Sequence, residues 1–170
     1  MEPVAENLVV RDASLADGEA ISVIYNAAIA ERGSTFETKP RDAADFSTRI
    51  GTERFPFLVA EVGHEVVGWA GLGPYSDRSC YAGIGECSVY AAPVVRGRGI
   101  GTALTEALAV EAERRGFHKL LGKLFTDNDA SIRLVERCGF SSVGLHRRHG
   151  QLDGRWRDVL VVERLLDEPR

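Results

Sequence analysis

Apolar residues recur with two different periods along the chain, and these periods predict an ordered series of strands and helices. A short apolar run at 8–10 predicts a first strand, and Ser14 can cap a helix that continues to about Ala30. A second amphipathic segment predicts a helix over 41–50. The chain therefore begins with one strand followed by two helices.

Three strand-like runs occupy the middle of the chain. Residues 57–62 and 66–72 are rich in β-branched and aromatic residues, and the segment 63–65 between them is typical of a hairpin turn. A third run at 87–91 predicts another strand. A long helix capped by Gly116 follows, and its apolar face is formed by Leu104, Ala107, Leu108 and Ala112.

The last part of the chain alternates strands with one further helix. Residues 120–125 predict a strand, and 131–138 predict a helix that is stopped by Gly139. Two final runs, 140–145 and 159–165, predict strands. This order of elements predicts an α+β fold with a mixed sheet rather than a regular doubly wound domain.

The composition bounds the number of domains and the classes of partner. A chain of 170 residues with 44% hydrophobic content can close one core and is too short for two ordinary domains. Because no repeat or linker divides it, we expect a single domain over 1–170 with its core at about 8–166. The net charge of −4 gives no general cationic field, so nucleic acid is not an expected partner.

The N-terminus indicates the compartment. The polar stretch 1–8 lacks the apolar run of a secretory signal, and no segment has the length of a membrane span. We therefore expect a cytoplasmic protein with no membrane partner.

The three cysteines, Cys80, Cys87 and Cys138, have no metal-ligand spacing and are expected to be buried free thiols. The histidines are scattered, and neither a metal nor catalysis is assigned to His64, His118, His146 or His149.

A glycine- and arginine-rich loop at 96–101 is the strongest local feature. Its glycines allow close approach of a ligand, and the helix that follows offers unpaired N–H groups to an anion, so the loop suits a pyrophosphate. It is not a P-loop, because it has no lysine, and it is not a dinucleotide fingerprint, because Thr102 stands where the third glycine is required. The structural alternative is a turn that only caps the helix.

The pattern Arg-x-x-Gly-x-Gly at 96–101, after a strand and before a helix, resembles the CoA-binding loop of the Gcn5-related N-acetyltransferases. The resemblance extends over about 8–166, and 128–131 (Asn-Asp-Ala-Ser) followed by 137–140 is similar to the later motif of that family. It implies a central twisted mixed sheet of about seven strands flanked by helices, with acetyl-CoA as co-substrate. The residues that it implies in acetyl-CoA binding are Val89, Tyr90, Ala91, Arg96, Gly97, Arg98, Gly99, Ile100, Gly101, Thr102, Asn128 and Ser131.

Further motifs resemble one branch of this superfamily. Residues 86–90 and 154–158 are similar to the phosphinothricin and methionine sulfoximine acetyltransferases, and 78–83 are similar to the arsinothricin-resistance acetyltransferases. The resemblance implies transfer of an acetyl group to the α-amino group of a small amino acid or amino-acid-like antimetabolite, with resistance as the result. It also implies a homodimer.

The chemistry of amide formation assigns candidate roles. The reaction needs a neutral amine, and Glu86 matches the proposed general base of the phosphinothricin-type enzymes; its structural alternative is a solvated carboxylate at a strand end. A backbone N–H around 89–91 could polarise the thioester carbonyl. Many superfamily members carry a tyrosine that protonates the thiolate, but the matching position is Val135, so we name no general acid.

The resemblance also implies an acceptor pocket. Its residues match Phe36, Arg78, Tyr90 and Trp156, and the Arg78 guanidinium suits a carboxylate or phosphinate. Relatives carry a second basic residue where this chain has Ser76, which puts phosphinothricin itself in question. The structural alternatives are a surface charge for Arg78 and packing roles for Tyr90 and Trp156.

Two other functions remain open from the sequence. A noncatalytic CoA-binding domain would keep the loop but lose turnover, and Glu86 beside an intact loop argues against it. A protein or peptide N-acetyltransferase would need an open groove, whereas Phe36, Arg78 and Trp156 indicate a small pocket.

Overall fold

A single mixed sheet dominates the computed structural model, which describes residues 7–166. Its seven strands are β1 (Leu8–Asp12), β2 (Phe57–Val62), β3 (Glu65–Pro74), β4 (Ile84–Ala91), β5 (Lys119–Phe125), β6 (Ser141–Leu152) and β7 (Arg155–Leu165). Their order in the sheet is β1-β2-β3-β4-β5-β7-β6. Neighbouring strands are antiparallel except for β4 and β5, which are parallel. The predicted α+β class with a seven-stranded mixed sheet is confirmed.

Four α-helices cover the two faces of the sheet. They are α1 (Gly18–Glu31), α2 (Ala43–Ser47), α3 (Ile100–Arg114) and α4 (Asp129–Arg137). Ser14 caps a short 3-10 turn that leads into α1, so the first helix has the predicted position. The second helix is shorter than the predicted 41–50, because a reciprocal cap between Asp42 and Asp45 sets its start at Ala43.

Separate apolar clusters hold the helices on the two faces. One cluster joins α3 to β2 and β3 and includes the fully buried Leu104 and Leu108. The other cluster joins α1 and α2 to the opposite face and includes Ile21, Phe46 and Trp69. The central strands are therefore buried on both sides, as their continuous apolar sequence indicates.

The structure corrects three strand predictions. The third strand begins at Ile84 rather than at 87, because β4 pairs with β3 as far as Gly85↔Pro74, so Glu86 lies inside the strand. The last two strands form a much longer hairpin than 140–145 and 159–165, joined at the turn Asp153-Gly154. The first hairpin turn is two residues long, because the left-handed Gly63 and His64 already reverse the chain before Glu65.

The pairing of β4 with β5 is short, and this opens the sheet. It covers only Ile84↔Lys119 to Glu86↔Leu121, after which β4 continues along β3 alone to Ala91. The backbone groups of 87–91 that face β5 therefore have no strand to pair with. This opening positions the candidate site.

Candidate active site

The loop 96–101 forms one wall of a cleft of about 380 Å³ at the start of α3. Gly97 and Gly99 have φ of 74° and 78°, in the left-handed region where only glycine is unstrained. Gly99 is the N-cap of α3 and has no side chain that could occupy the first N–H groups of the helix. The loop therefore presents open donors at a helix N-terminus, where an anion is stabilised.

Arg96 is already paired in this loop. Its guanidinium lies 2.9 Å from the carboxylate of Glu31 at the end of α1, and both side chains are partly exposed. A phosphate ligand would compete with Glu31 for the guanidinium. Arg98 does not line this cleft, in contrast to the other members of the loop, which are Arg96, Gly97, Gly99, Ile100 and Gly101, with Thr102 beyond them.

The opposite wall is the N-terminus of α4. The Asn128 side chain accepts a hydrogen bond of 3.2 Å from the backbone N–H of Ser131 and so caps the helix. Both residues line the cleft, together with Val89, Tyr90 and Ala91 of β4. Every residue predicted for acetyl-CoA binding except Arg98 thus lies around one cleft, although their individual roles stay predictions.

A second cavity of about 450 Å³ continues from this cleft into the opening between β4 and β5. The residues that line both are Ser34, Val89, Tyr90, Asn128, Ser131 and Leu134. Glu86 lies in the wall of the second cavity, and its carboxylate is 3.0 Å from the Nζ of Lys123 on β5. A long ligand could therefore extend from the glycine loop to the Glu86 carboxylate.

Cys87 also lines the second cavity, next to Glu86. Burial raises the pKa of the Cys87 thiol to about 12, and its Sγ–H donates to the carbonyl of Leu121 at 3.3 Å. The thiolate is the nucleophilic form of cysteine, so this thiol is unreactive at neutral pH. The geometry favours direct transfer to an amine over transfer through an acyl-cysteine.

Aromatic side chains form the floor of the second cavity. The rings of Tyr25 and Tyr90 meet edge to face at 5.0 Å, and the Tyr25 hydroxyl lies 3.1 Å from that of Thr35. Burial raises the pKa of Tyr90, so its phenol is neutral at neutral pH. Val135 of α4 lines the same cavity, and valine cannot protonate a leaving group.

The predicted acceptor residues have different locations. Phe36 lines the second cavity and packs edge to face on Phe125 at 4.8 Å. Arg78 is exposed, and its guanidinium lies over the ring of Tyr81 at 5.6 Å. Trp156 is 55% exposed on the β6–β7 hairpin. Neither Arg78 nor Trp156 belongs to the lining of this cavity, and their contact with an acceptor stays a prediction.

The prediction of three buried thiols is wrong in part. Cys138 is buried and Cys87 is partly buried, but Cys80 is exposed because it lies in a short 3-10 turn on the surface. His64 lies in a hairpin turn, whereas His149 lines the second cavity, which the sequence did not indicate.

Other residues of the site were missed from the sequence. Tyr25, Thr35 and Lys123 reach it from a helix, a loop and a strand whose local patterns carry no signal of a site. Within residues 7–166, no group of histidine, cysteine and acidic side chains could hold a metal ion. In the same range, no helix is long and apolar enough to cross a membrane.

A glycine loop at a helix N-terminus, continuous with a carboxylate beside an opened pair of strands, defines an acyl-CoA-dependent transferase site. Comparison with known proteins agrees, because residues 21–140 match the acetyltransferase (GNAT) family. The chain belongs to this family of acetyltransferases, and acetyl-CoA is its co-substrate.

Individual relatives cover almost the whole chain. The L-methionine sulfoximine/L-methionine sulfone acetyltransferase of Pseudomonas aeruginosa is 35% identical over 95% of this chain and 96% of its own length. A phosphinothricin acetyltransferase of Sinorhizobium meliloti, solved with acetyl-CoA, has a TM-score of 0.87 and 30% identity, covering 94% of this chain and 88% of that one. A ribosomal-protein-alanine N-acetyltransferase from Brucella melitensis has a TM-score of 0.88 and 34% identity, covering 92% and 99%.

Proposed function

We propose that this enzyme transfers the acetyl group of acetyl-CoA to the α-amino group of a small amino acid or amino-acid-like antimetabolite. The observation that carries the proposal is the continuity of the loop cleft with the cavity that contains Glu86. The relatives that act on methionine sulfoximine and phosphinothricin support the acceptor class. We include arsinothricin in this class, and resistance to such compounds by their acetylation is the proposed role.

The chain's own groups suit each need of the reaction. Acetyl-CoA supplies the acetyl group as a thioester, and CoA leaves as the thiol when its thiolate takes up the proton that the nitrogen loses on forming the amide. The loop 96–101 and the N-terminus of α4 would hold its phosphates and pantetheine arm, and unpaired N–H groups of 89–91 would polarise the thioester carbonyl. Glu86 would take the proton of the acceptor ammonium, after exchanging its contact with Lys123.

The shape of the second cavity supports a small acceptor. The Phe36 ring packs so closely on β6 that a Cβ at Gly150 would lie 2.7 Å from it, and this contact closes one side of the cavity. Acetylation of a protein N-terminus is the second candidate, favoured by the name of the Brucella relative. A polypeptide would require this side to open.

We also propose that the enzyme is a cytoplasmic homodimer. Acetyl-CoA is a cytoplasmic metabolite, and the β6–β7 hairpin exposes large apolar side chains that a second copy would cover. These side chains are Val143, Leu145 and Trp156.

The test of the base is Glu86→Gln, which keeps the shape of the side chain and removes its basicity. We expect acetyl transfer to a free amino acid to fall by about 10²-fold or more, the usual scale for loss of a general base, with unchanged acetyl-CoA affinity in calorimetry. A variant with the turnover of the wild type would contradict the role.

Glu163→Gln is the matched control. Glu163 is also paired across neighbouring strands with a lysine, Lys119, at 2.6 Å, and its side chain is 31% exposed, close to the 34% of Glu86. It lines neither cavity. We expect this control to keep normal turnover, which separates the loss of a base from the loss of an ion pair.

A further inference from the structure

A third cleft, of about 250 Å³, lies beside the acceptor cavity on the α1–α2 face of the sheet. Four residues line both spaces: Tyr25, Glu37, Ser88 and Tyr90. The residues that line only the third cleft include Arg49 and Trp69. The cleft is therefore a side chamber of the acceptor cavity with a cation in its wall.

Arg49 is partly buried, and it has no anionic partner within residues 7–166. Its guanidinium lies 5.0 Å from the ring centroid of Phe57 and 5.9 Å from that of Trp69. Burial lowers the pKa of Arg49, which reflects the cost of holding this charge away from water. A guanidinium stays protonated in proteins, so the chamber contains a fixed positive charge.

The acidic groups of the chamber do not neutralise Arg49. Glu37 and Asp45 also line it, and both are paired instead with Arg41, at 2.9 Å and 3.9 Å. Burying the charge of Arg49 without an anionic partner costs free energy, so we expect a ligand or a structural contact to offset this cost.

Trp69 also lines the chamber, but its indole N–H does not serve a ligand there. The Nε1 atom is buried without a hydrogen-bond partner and has almost no exposed surface. The Arg49 guanidinium is therefore the group through which the chamber favours an oxygen anion.

The register of the sheet places this chamber next to the proposed base. Ser88 pairs with Gly71 and Glu86 pairs with Gly73, so Ser88 and Glu86 lie on one face of β4. Because Gly71 has no side chain, the guanidinium occupies the space above it, 2.9 Å from where a Cβ would lie. Arg49 is thus beside Ser88, and Glu86 lies two residues along the strand, about 7 Å away.

This spacing suits the two polar ends of an α-amino acid, in which one carbon joins the amine and the carboxylate and each end forms one hydrogen bond. We propose that Arg49, together with Ser88, binds the α-carboxylate of the acceptor while Glu86 receives the proton from its α-amino group. The inference rests on the proposed function and adds the group by which a free amino acid is recognised. Arg78 is then left for an anionic side chain of the acceptor.

The test compares two acceptors that differ only in the carboxylate, L-methionine sulfone and 3-(methylsulfonyl)propylamine. Arg49→Met keeps the apolar packing and removes the charge. We expect kcat/KM for the acid to fall by about 10- to 100-fold, the scale of one charge-assisted bidentate contact, while kcat/KM for the amine stays unchanged. Calorimetric titration of L-methionine sulfone into the CoA-loaded enzyme should show the same loss of affinity.

Arg54→Met is the matched control. Arg54 also stacks its guanidinium on two aromatic rings, Phe55 at 5.6 Å and Phe117 at 5.1 Å, but it lines neither the acceptor cavity nor the chamber. Arg54→Met should leave unchanged the ratio of kcat/KM for L-methionine sulfone to kcat/KM for the amine. If Arg49→Met does not fold, Arg49→Lys retains a charge with one donor centre and should lower kcat/KM for the acid alone.

The outcomes separate the two proposals. The inference alone would be overturned by an Arg49 variant that folds, binds acetyl-CoA and has the wild-type ratio of kcat/KM for L-methionine sulfone to kcat/KM for the amine. A wild type that acetylates neither compound nor any other free amino acid would overturn the proposed function and the inference with it.

Discussion

The cysteines show how environment sets the chemistry of identical residues. Cys80 is exposed on a turn, whereas burial raises the pKa of Cys87 to about 12 and that of Cys138 to about 11. We expect iodoacetamide at neutral pH to label Cys80 rapidly and the other two only after unfolding, because the thiolate is the reactive form. Peptide mass mapping measures the extent of labelling at each cysteine.

Cys80→Ser is the control for the labelling experiment and should show no rapid reaction in the folded enzyme. Rapid labelling of Cys87 would instead show a reactive thiol in the acceptor cavity. That result would reopen the route through an acyl-cysteine that the structure disfavours.

Sequence resemblance predicted single residues of the site only where a motif surrounds them. Glu86 was predicted because its neighbours in β4 match a motif, and it lies in the wall of the second cavity, although its role as the base stays a prediction. The ion pair of Glu86 with Lys123 joins residues 37 positions apart, and no local pattern could indicate it. The proposed role of Arg49 had no sequence signal for the same reason, since its environment is formed by a distant strand, where the missing side chain of Gly71 leaves room for it.

Among the secondary-structure elements, the junction of the loop 96–101 with α3 is the feature that we propose binds the phosphates of acetyl-CoA. Gly99→Asp would place a side chain and a negative charge at the first N–H groups of α3, where we propose that the pyrophosphate of acetyl-CoA binds. We expect acetyl-CoA affinity to fall by at least about tenfold, since like charges and a steric block oppose the ligand. Calorimetry measures the affinity.

Gly116→Asp separates this effect from backbone strain. Gly116 follows the other end of α3 with φ of 86°, close to the 78° of Gly99, so both substitutions strain the left-handed region. We expect Gly116→Asp to lower stability and to leave acetyl-CoA affinity unchanged. If Gly99→Asp binds acetyl-CoA as tightly as the wild type, the loop 96–101 is not part of the binding site.

The order and class of the elements could be predicted because apolar periodicity is local, while the lengths of three strands could not. The segment 146–158 is polar without alternation, and it forms strands because β6 and β7 pair with each other. Its one sequence signal was the dipeptide Asp153-Gly154, typical of a two-residue hairpin turn. The start of β4 was missed because Gly83 and Gly85 have low strand propensity.

At the scale of the whole molecule, β4 is the strand on which the two parts of the chain converge. The segments before it, α1, the loop 34–37 and α2, line the proposed acceptor cavity and its side chamber, together with β5 and α4. The segments after it, the loop 96–101, α3 and α4, line the proposed acetyl-CoA cleft, together with the end of α1. The cleft and the cavity join at Val89 and Tyr90 of β4, beyond the short parallel pairing of β4 with β5. Such a convergence depends on the assembled sheet and could not be derived from periodicity.

We propose that a free α-amino acid is the acceptor, and acceptor-dependent release of CoA thiol tests this proposal directly. The panel is methionine sulfoximine, methionine sulfone, phosphinothricin and arsinothricin, set against peptides that begin with alanine, with mass spectrometry of each product. We expect thiol release with one or more of the free amino acids, a product acetylated on the α-amine, and no release above background with the peptides. Release with the peptides alone, or no acceptor-dependent release at all, would contradict it.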